Sequence, residues 1–276
     1  MSASDRPPGR HLRVALIGWG AIATRVAALL HERGRREISI VAVAVRDTGA
    51  PRAGLPQGAK LIARTRELRE IVCDIVVEAA GRDSVEPWGT AALAKGCDFV
   101  ISSVGTLCDD ALRDRLTALA GQTGGQIIVP PGAVGGIDAL AAAAILPLDD
   151  VEHIIVKPLA AWRGTPAEAS VDLDALDQAA VFFSGSARQA ADRFPQNANV
   201  AAISAMAGIG LDRTRVTMIA DPLATRNGHR IVAWGAFGRL DVAIENEPLA
   251  TNPKSSELAA LSLVHLLERR VDPLVC

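Results

Sequence analysis

Leu12-Arg13-Val14-Ala15-Leu16-Ile17-Gly18-Trp19-Gly20-Ala21-Ile22-Ala23 is the stretch that decides the fold. Leu12 to Ile17 reads as a buried strand, and Ile22, Val26, Leu29 and Leu30 then recur on one face of a helix. Between them stands Gly-x-Gly-x-x-Ala. The first glycine permits a tight turn, the second lets a backbone approach a pyrophosphate, and the small Ala23 lets helix and strand pack closely. The helix start, at Ala21 and Ile22, offers unpaired amides and a positive dipole end to phosphate oxygens. A Gly-x-Gly alone is also found in plain structural turns. Here it follows a strand and opens a helix near the N-terminus, so it predicts a dinucleotide site at Gly18, Gly20, Ala21 and Ile22. The cofactor this implies is NAD or NADP.

Outward from that loop the same alternation continues. A second strand runs from Ile38 to Val45, where NAD-preferring folds end in an acidic residue that holds the ribose hydroxyls. This chain has Val45, Arg46 and Asp47 there. Arg46 suits a 2′-phosphate and leans the reading towards NADP or dual use; a solvated Arg46-Asp47 pair is the other reading. Helices near Arg66–Ile71, Val85–Lys95 and Asp109–Leu119 alternate with strands at Asp74–Gly81, Asp98–Ser103 and Gln126–Val129. Such an alternation predicts a doubly wound parallel sheet of Rossmann type, with ligands outside the carboxyl ends of its strands. Three such ends carry Glu78-Ala79-Ala80-Gly81, Ser102-Ser103-Val104-Gly105 and Pro130 to Gly136.

After an Ala-rich helix at Asp138–Ile145 the pattern changes. Strand-like runs at His153–Lys157, Ala180–Phe183, Arg215–Ala220, Arg230–Phe237 and Leu240–Glu245 surround helices near Ser186–Arg193 and Val200–Gly208. The last two strands read as a hairpin turning at Gly238-Arg239. A second domain of α+β type with a mostly antiparallel sheet follows. Asn252-Pro253 reads as a helix cap, and the closing helix, with Leu258, Leu261, Val264 and Leu267 near one face, returns to the first domain. The expected organisation is a disordered tail over 1–11, a dinucleotide-binding domain over 12–135 and 246–276, and a substrate and dimerisation domain over 136–245.

Bulk properties narrow the function. The 276 residues suffice for two modest domains, and a net charge of -2 provides no basic excess for nucleic acid. Aromatics make up 3% and Tyr is absent, so base-stacking platforms are not expected. Cys73, Cys97, Cys108 and Cys276 show no C-x-x-C pairing and no histidine at metal spacing, so they read as free thiols with no metal site. The polar, proline-bearing N-terminus is not a signal peptide, and the longest apolar stretch, Ala139–Leu148, is too short to span a bilayer. A soluble, cytoplasmic protein without a membrane or nucleic-acid partner is expected.

Two domains, one holding a nicotinamide, imply a small-molecule substrate presented to the ring by the other domain. Among the five histidines, His229 stands in the polar segment Asp221-Pro222-Leu223-Ala224-Thr225-Arg226-Asn227-Gly228-His229, between strand-like runs, where a side chain can reach a cleft. It is the candidate general base. His11, His31, His153 and His265 read as structural. Asn197 and Asn199 read equally as helix caps and as ligands of a nicotinamide carboxamide or a substrate carboxylate. Lys157, Arg163 and Lys254 are candidate partners for carboxylates.

Phe194-Pro-Gln-Asn-Ala-Asn-Val-Ala-Ala, Ala207-Gly-Ile-Gly-Leu-Asp-Arg-Thr-Arg-Val, Asp221-Pro with Asn227-Gly-His229, and Asn252-Pro-Lys-Ser-Ser form an ordered set. Together with Lys157-Pro and Trp162-Arg-Gly-Thr-Pro-Ala-Glu, they resemble the L-aspartate dehydrogenase family from Leu12 to the C-terminus. The resemblance implies NAD(P)-dependent oxidative deamination of L-aspartate to oxaloacetate and ammonia via iminoaspartate, a link to NAD biosynthesis, and a homodimer. It places the catalytic histidine at His229 and cofactor contacts at Ala133 and Asn199. Pro131 departs from the family's usual Ser, Val45 from its frequent acidic residue, and Ser255-Ser256 from a Thr-Ser pair. Alternative readings are an NADP-dependent dehydrogenase or reductase on another small amino or imino acid, and a catalytically inactive cofactor-binding sensor.

Overall fold

The computed structural model describes residues 11–195 and 198–275, without the side chains of residues 198, 253 and 254. The expected tail over 1–11, apart from His11, lies outside them, as does Cys276. The first elements are β1 (Leu12–Ile17), α1 (Ala21–Glu32), β2 (Ile38–Ala44), β3 (Lys60–Ile62), β4 (Ile75–Glu78), α2 (Arg82–Ala94), β5 (Asp98–Ile101), α3 (Asp110–Thr123) and β6 (Ile127–Ile128). Their strands form one parallel sheet in the order β3-β2-β1-β4-β5-β6. The order reverses between β1 and β4, the position at which open α/β sheets leave a crevice for ligands. Helical structure at 65–70 is a short 3₁₀ turn rather than an α-helix.

The middle elements are α4 (Ile137–Ala143), β7 (Leu148–Pro158), α5 (Leu159–Trp162), β8 (Ala180–Ser186), α6 (Ala187–Arg193) and α7 (Ala198–Ala207). Then come β9 (Arg215–Asp221), β10 (Asn227–Gly235), β11 (Gly238–Asn246), β12 (Pro248–Leu249), β13 (Asn252–Ser256) and α8 (Glu257–Glu268). A five-stranded sheet has the order β11-β10-β7-β9-β8 and is antiparallel except for the β7–β9 pair. The β10–β11 turn is Ala236-Phe237, because Gly235 pairs with Gly238; the turn expected at Gly238-Arg239 lies two residues too late.

The chain divides into two compact units. Of the described residues, one unit holds 11–103, 111–130 and 259–275; the other holds 104–110, 131–195 and 198–258. The return to the first unit therefore falls at 259 rather than at 246. The cause is local pairing: β12 and β13 form their own antiparallel ribbon, so Asn252-Pro253 is strand and not a helix cap. Ser256 caps the closing helix instead, its Oγ accepting from Leu258 N at 3.2 Å. Residues 104–110 go with the second unit because Gly105 N donates to Asn199 Oδ1 (2.9 Å) and Arg188 reaches both the Cys108 carbonyl and Asp110.

In the first unit, Val14, Leu16, Val43, Ile75 and Val77 pack with Val26, Leu29 and Leu30 of α1 and with Ala260, Leu263, Val264 and Leu267 of α8. Leu263 takes the buried place expected for Leu261, which is 39% exposed. Arg33 and Arg35 hold Glu268, and Arg35 also pairs with Asp272, fixing the end of α8 to the end of α1. Cys73 and Cys97 are buried free thiols with sulfur atoms 3.7 Å apart. Among the described residues no helix is long and apolar enough to cross a membrane.

The carboxyl ends of β4 and β5 are joined through Glu78, which is fully buried. Its Oε1 accepts from Ala80 N, Gly81 N, Ser84 Oγ and Ser103 Oγ, and its Oε2 from Ser103 N, all between 2.8 and 3.0 Å. Removing the carboxylate takes the partner from the buried amide and hydroxyl of Ser103 and from the partly buried donors at 80–84. Glu78→Ala is expected to cost about 2–5 kcal/mol of unfolding free energy in a reversible denaturant titration. A loss below about 1 kcal/mol would mean the donors find other partners.

Candidate active site

Gly18 ends β1 at φ +95°, and a Cβ there would lie 2.8 Å from the Ala79 carbonyl oxygen and 2.9 Å from Ala80. Both the backbone conformation and the space demand glycine. At Gly20 the situation is opposite: a Cβ would meet nothing within 4 Å, so the backbone at the start of α1 borders open space. Ala23 is buried behind it. A tight turn, an accessible backbone and uncapped amides at Ala21 and Ile22 suit a pyrophosphate. Arg46 is exposed just past β2, while the Asp47 carboxylate is engaged by Gly49 N at 2.9 Å.

In the second unit, the Pro131–Gly136 loop is shaped by Gly132 and Gly136, both at positive φ, with Val242 filling the space a Cβ on Gly136 would need. Asn246 Nδ2 donates to the Ala133 carbonyl at 2.8 Å and holds the loop on β11. Asn199 lies in the first turn of α7, its Oδ1 accepting from Gly105 N. A capping role is thus replaced by a tie to the segment after β5.

His229 is not in a loop. It is the third residue of β10 and only 5% exposed. Opposite it on β7 stands Ile155, and on the same inward face His153 and Lys157 flank Ile155, each diagonal to His229. Diagonal positions across an antiparallel pair lie within reach of long and aromatic side chains. His153 is fully buried; its Nε2 lies 3.2 Å from His229 Nδ1 and its Nδ1 lies 2.9 Å from Ser204 Oγ of α7. The partly buried Lys157 ammonium lies 5.1 Å from the centre of the Trp162 ring.

Desolvation pushes His153 down to about 4 and Lys157 down to about 8. His229 is held well below the usual histidine range, first by burial and then by the neighbouring His153 and Lys157. The imidazoles are therefore neutral at pH 7, and the lysine is mostly charged.

Sequence reasoning missed His153 and set it aside as a strand residue. The available signal was period two: Val151, His153, Ile155 and Lys157 alternate with outward residues, so a polar pair interrupts a core face. Arg163 is placed elsewhere, at the surface in an ion pair with Asp174. Asn197 and the side chain of Lys254 lie outside the described residues.

Comparison with known proteins agrees with both halves. Residues 18–130 match the homoserine dehydrogenase NAD-binding domain family, and residues 138–270 match the aspartate dehydrogenase C-terminal family. An L-aspartate dehydrogenase of Brucella anthropi is 57% identical over 94% of this chain and 96% of its own. The chain belongs to the aspartate dehydrogenase family. One from Pseudomonas aeruginosa is 40% identical, over 93% of this chain and 96% of its own. A crystal structure of aspartate dehydrogenase from Thermotoga maritima shares the fold, with a TM-score of 0.75 at 22% identity, over 96% of this chain and 99% of that one. The chain is thus an oxidoreductase of the amino-acid dehydrogenase kind, with a domain for a nicotinamide cofactor.

The buried imidazoles make stability depend on acid. His153 titrates near 6.5 when unfolded and at about 4 when folded, so between those values the unfolded chain binds the extra proton. Its contribution is complete above pH 6.5 and is lost as the pH falls towards 4; His229 acts in the same direction. Unfolding free energies measured across this window are expected to fall by about 1.4 kcal/mol per pH unit for each such histidine. His153→Gln should flatten the slope by about one histidine's share; an unchanged slope would contradict the assignment.

Proposed function

We propose that the protein catalyses oxidative deamination of L-aspartate to oxaloacetate and ammonia through iminoaspartate, with His229 as the general base. What carries this reading is the shared inward face of β7 and β10: a neutral imidazole with a lysine ammonium diagonal to it. The identity to proteins named L-aspartate dehydrogenase supports the substrate. When bound, the nicotinamide supplies an acceptor for a hydride from the α-carbon.

His229 accepts a proton from the α-ammonium group of aspartate, leaving an amine whose lone pair assists departure of the α-hydrogen as hydride. Water then adds to the resulting imine, and ammonia leaves. His229 passes its first proton to solvent, takes a second from the adding water and returns that one to the amino group that leaves as ammonia. Lys157 provides a positive charge for one substrate carboxylate, and its neighbour Trp162 keeps the lysine stem on the sheet. The Asp174 pairing leaves Arg163 a weaker candidate for the other carboxylate. Ala133, with its carbonyl held by Asn246, and Asn199, oriented by Gly105, are proposed to contact the cofactor. Dual use of NAD and NADP is supported by the exposed Arg46 and by an Asp47 carboxylate already engaged. The product iminoaspartate, if released before hydrolysis, is a precursor for NAD biosynthesis, which fits a cytoplasmic enzyme.

A homodimer is proposed as well. The outward face of the five-stranded sheet presents partly exposed Ile154, Val156 and Ile219, framed by the Arg230–Asp241 and Arg215–Glu152 pairs. Light scattering should give twice the chain mass at micromolar concentration, and a monomer there would refute the dimer.

The enzymatic test is oxidation of NADH and of NADPH, in parallel, with oxaloacetate and ammonia, against a panel of other 2-oxo acids. Turnover with both cofactors and preference for oxaloacetate are expected. His229→Ala, folded and cofactor-binding, should lose about 10²- to 10⁴-fold in kcat. Cofactor binding without oxaloacetate-dependent turnover would favour the inactive sensor, and preference for another 2-oxo acid would reassign the substrate.

A further inference from the structure

The ring nitrogen of His229 that must act as a base depends on where its single proton sits. We propose that His153, anchored by Ser204, is a positioning residue that fixes His229 with its proton on Nδ1 and its Nε2 bare. The catalytic consequence rests on the function proposed above; the proton arrangement does not.

The hydrogen bonds run in one direction. Ser204 has one hydroxyl proton, and its Oγ lies 3.1 Å from the Ala201 carbonyl and 3.3 Å from the Val200 carbonyl on the preceding turn of α7. Carbonyl oxygens only accept, so the hydroxyl proton is directed to them. The serine oxygen is then left to accept from His153 Nδ1, 2.9 Å away. This puts the His153 proton on Nδ1.

Burial keeps each imidazole neutral, so each has one donor and one acceptor nitrogen. With Nδ1 protonated, His153 Nε2 is an acceptor, and its partner at 3.2 Å is His229 Nδ1. His229 therefore donates from Nδ1 and keeps a lone pair on Nε2. The reverse arrangement would take the serine proton away from the α7 carbonyls and would put a proton on the very nitrogen the reaction needs bare. Among the described residues, the other side chains that share this face do not accept these protons. β9 contributes buried Val216, Met218 and Ala220 to this face, Ile155 and Ile231 stand opposite His229 and His153 on the facing strands, and Lys157 is the charged neighbour on β7. Its positive charge opposes a second proton on His229 without accepting one from it.

The test is the ¹⁵N spectrum of the full-length protein labelled in its histidine rings at pH 7.5, with signals assigned by their loss in His229→Gln and His153→Gln. The expected result is a pyrrole-like Nδ1 and a pyridine-like Nε2 for both residues. A protonated Nε2 on His229 would overturn the proposal whatever the substrate proves to be. Kinetics supply the second arm. His153→Leu should lower kcat by about 10²-fold or more, with the aspartate KM little changed and the Nε2–H form of His229 appearing in the spectrum. His153→Gln, whose side-chain carbonyl can accept from His229 Nδ1, should recover most of the rate. Equal loss in both variants, or no loss in His153→Leu, would reduce His153 to packing. If His153→Leu does not fold, the wild-type spectrum and the glutamine variant still decide. Absence of aspartate turnover with the expected spectrum would refute the function and leave the proton arrangement standing.

Discussion

His153 Nε2 and His229 Nδ1 meet at 3.2 Å within a sheet face that also carries Ile155, Ile231, Val216, Met218, Ala220 and Lys157, and the rest of the second unit is arranged to make that tolerable. A ring nitrogen removed from water without a partner costs about 1–3 kcal/mol, so a buried pair of imidazoles has to be answered at each end. One end is answered by α7, whose Ala201, Ala202, Ser204 and Ala205 are small and fully buried, which lets the serine hydroxyl come within reach of the sheet. The mutual contact of the rings answers the middle. In the proposed arrangement the far nitrogen of His229 keeps its lone pair. Chemistry and folding thus make the same demand: a low-dielectric face, neutral rings and a single direction of hydrogen bonding.

The first unit solves a comparable problem with a carboxylate. Glu78 gathers the amides and hydroxyls at the ends of β4 and β5, and Gly18 can then approach Ala79 and Ala80 as closely as only glycine permits. A side chain that contacts no ligand in this account still sets the crevice, because the turn after β1 rests on the turn after β4. The accessible backbone at Gly20 is the result.

Much of this was legible in the chain. The Gly18–Ala23 loop, bounded by an apolar strand and an amphipathic helix, is a local signal with a local cause, and the parallel sheet follows from repeated alternation of strand and helix. The second unit was legible as a class, but its details were not. Asn252-Pro253 reads as a cap because asparagine and proline suit one, yet pairing with Pro248–Leu249 makes it strand, and pairing is a non-local fact. His229 was found for the wrong local reason: the Asn227-Gly228 segment looks like a loop, whereas the ladder to β7 and β11 draws it into the sheet. His153 was passed over because its partner stands 76 residues away, and no local pattern says that two strands will lie side by side. Glu78 shows the same limit in part: Ala80, Gly81 and Ser84 follow it closely in the chain, but Ser103, 25 residues on, meets it only in the fold.

The central claim is that the α-hydrogen of aspartate leaves as hydride with His229 taking the protons. L-aspartate carrying deuterium at C2, oxidised by the wild-type protein, tests it most directly when the reduced cofactor is examined by mass spectrometry. One deuterium at C4 of the nicotinamide is expected for each oxaloacetate formed. Reduced cofactor without deuterium, or no reduction with aspartate as the only substrate, would contradict it.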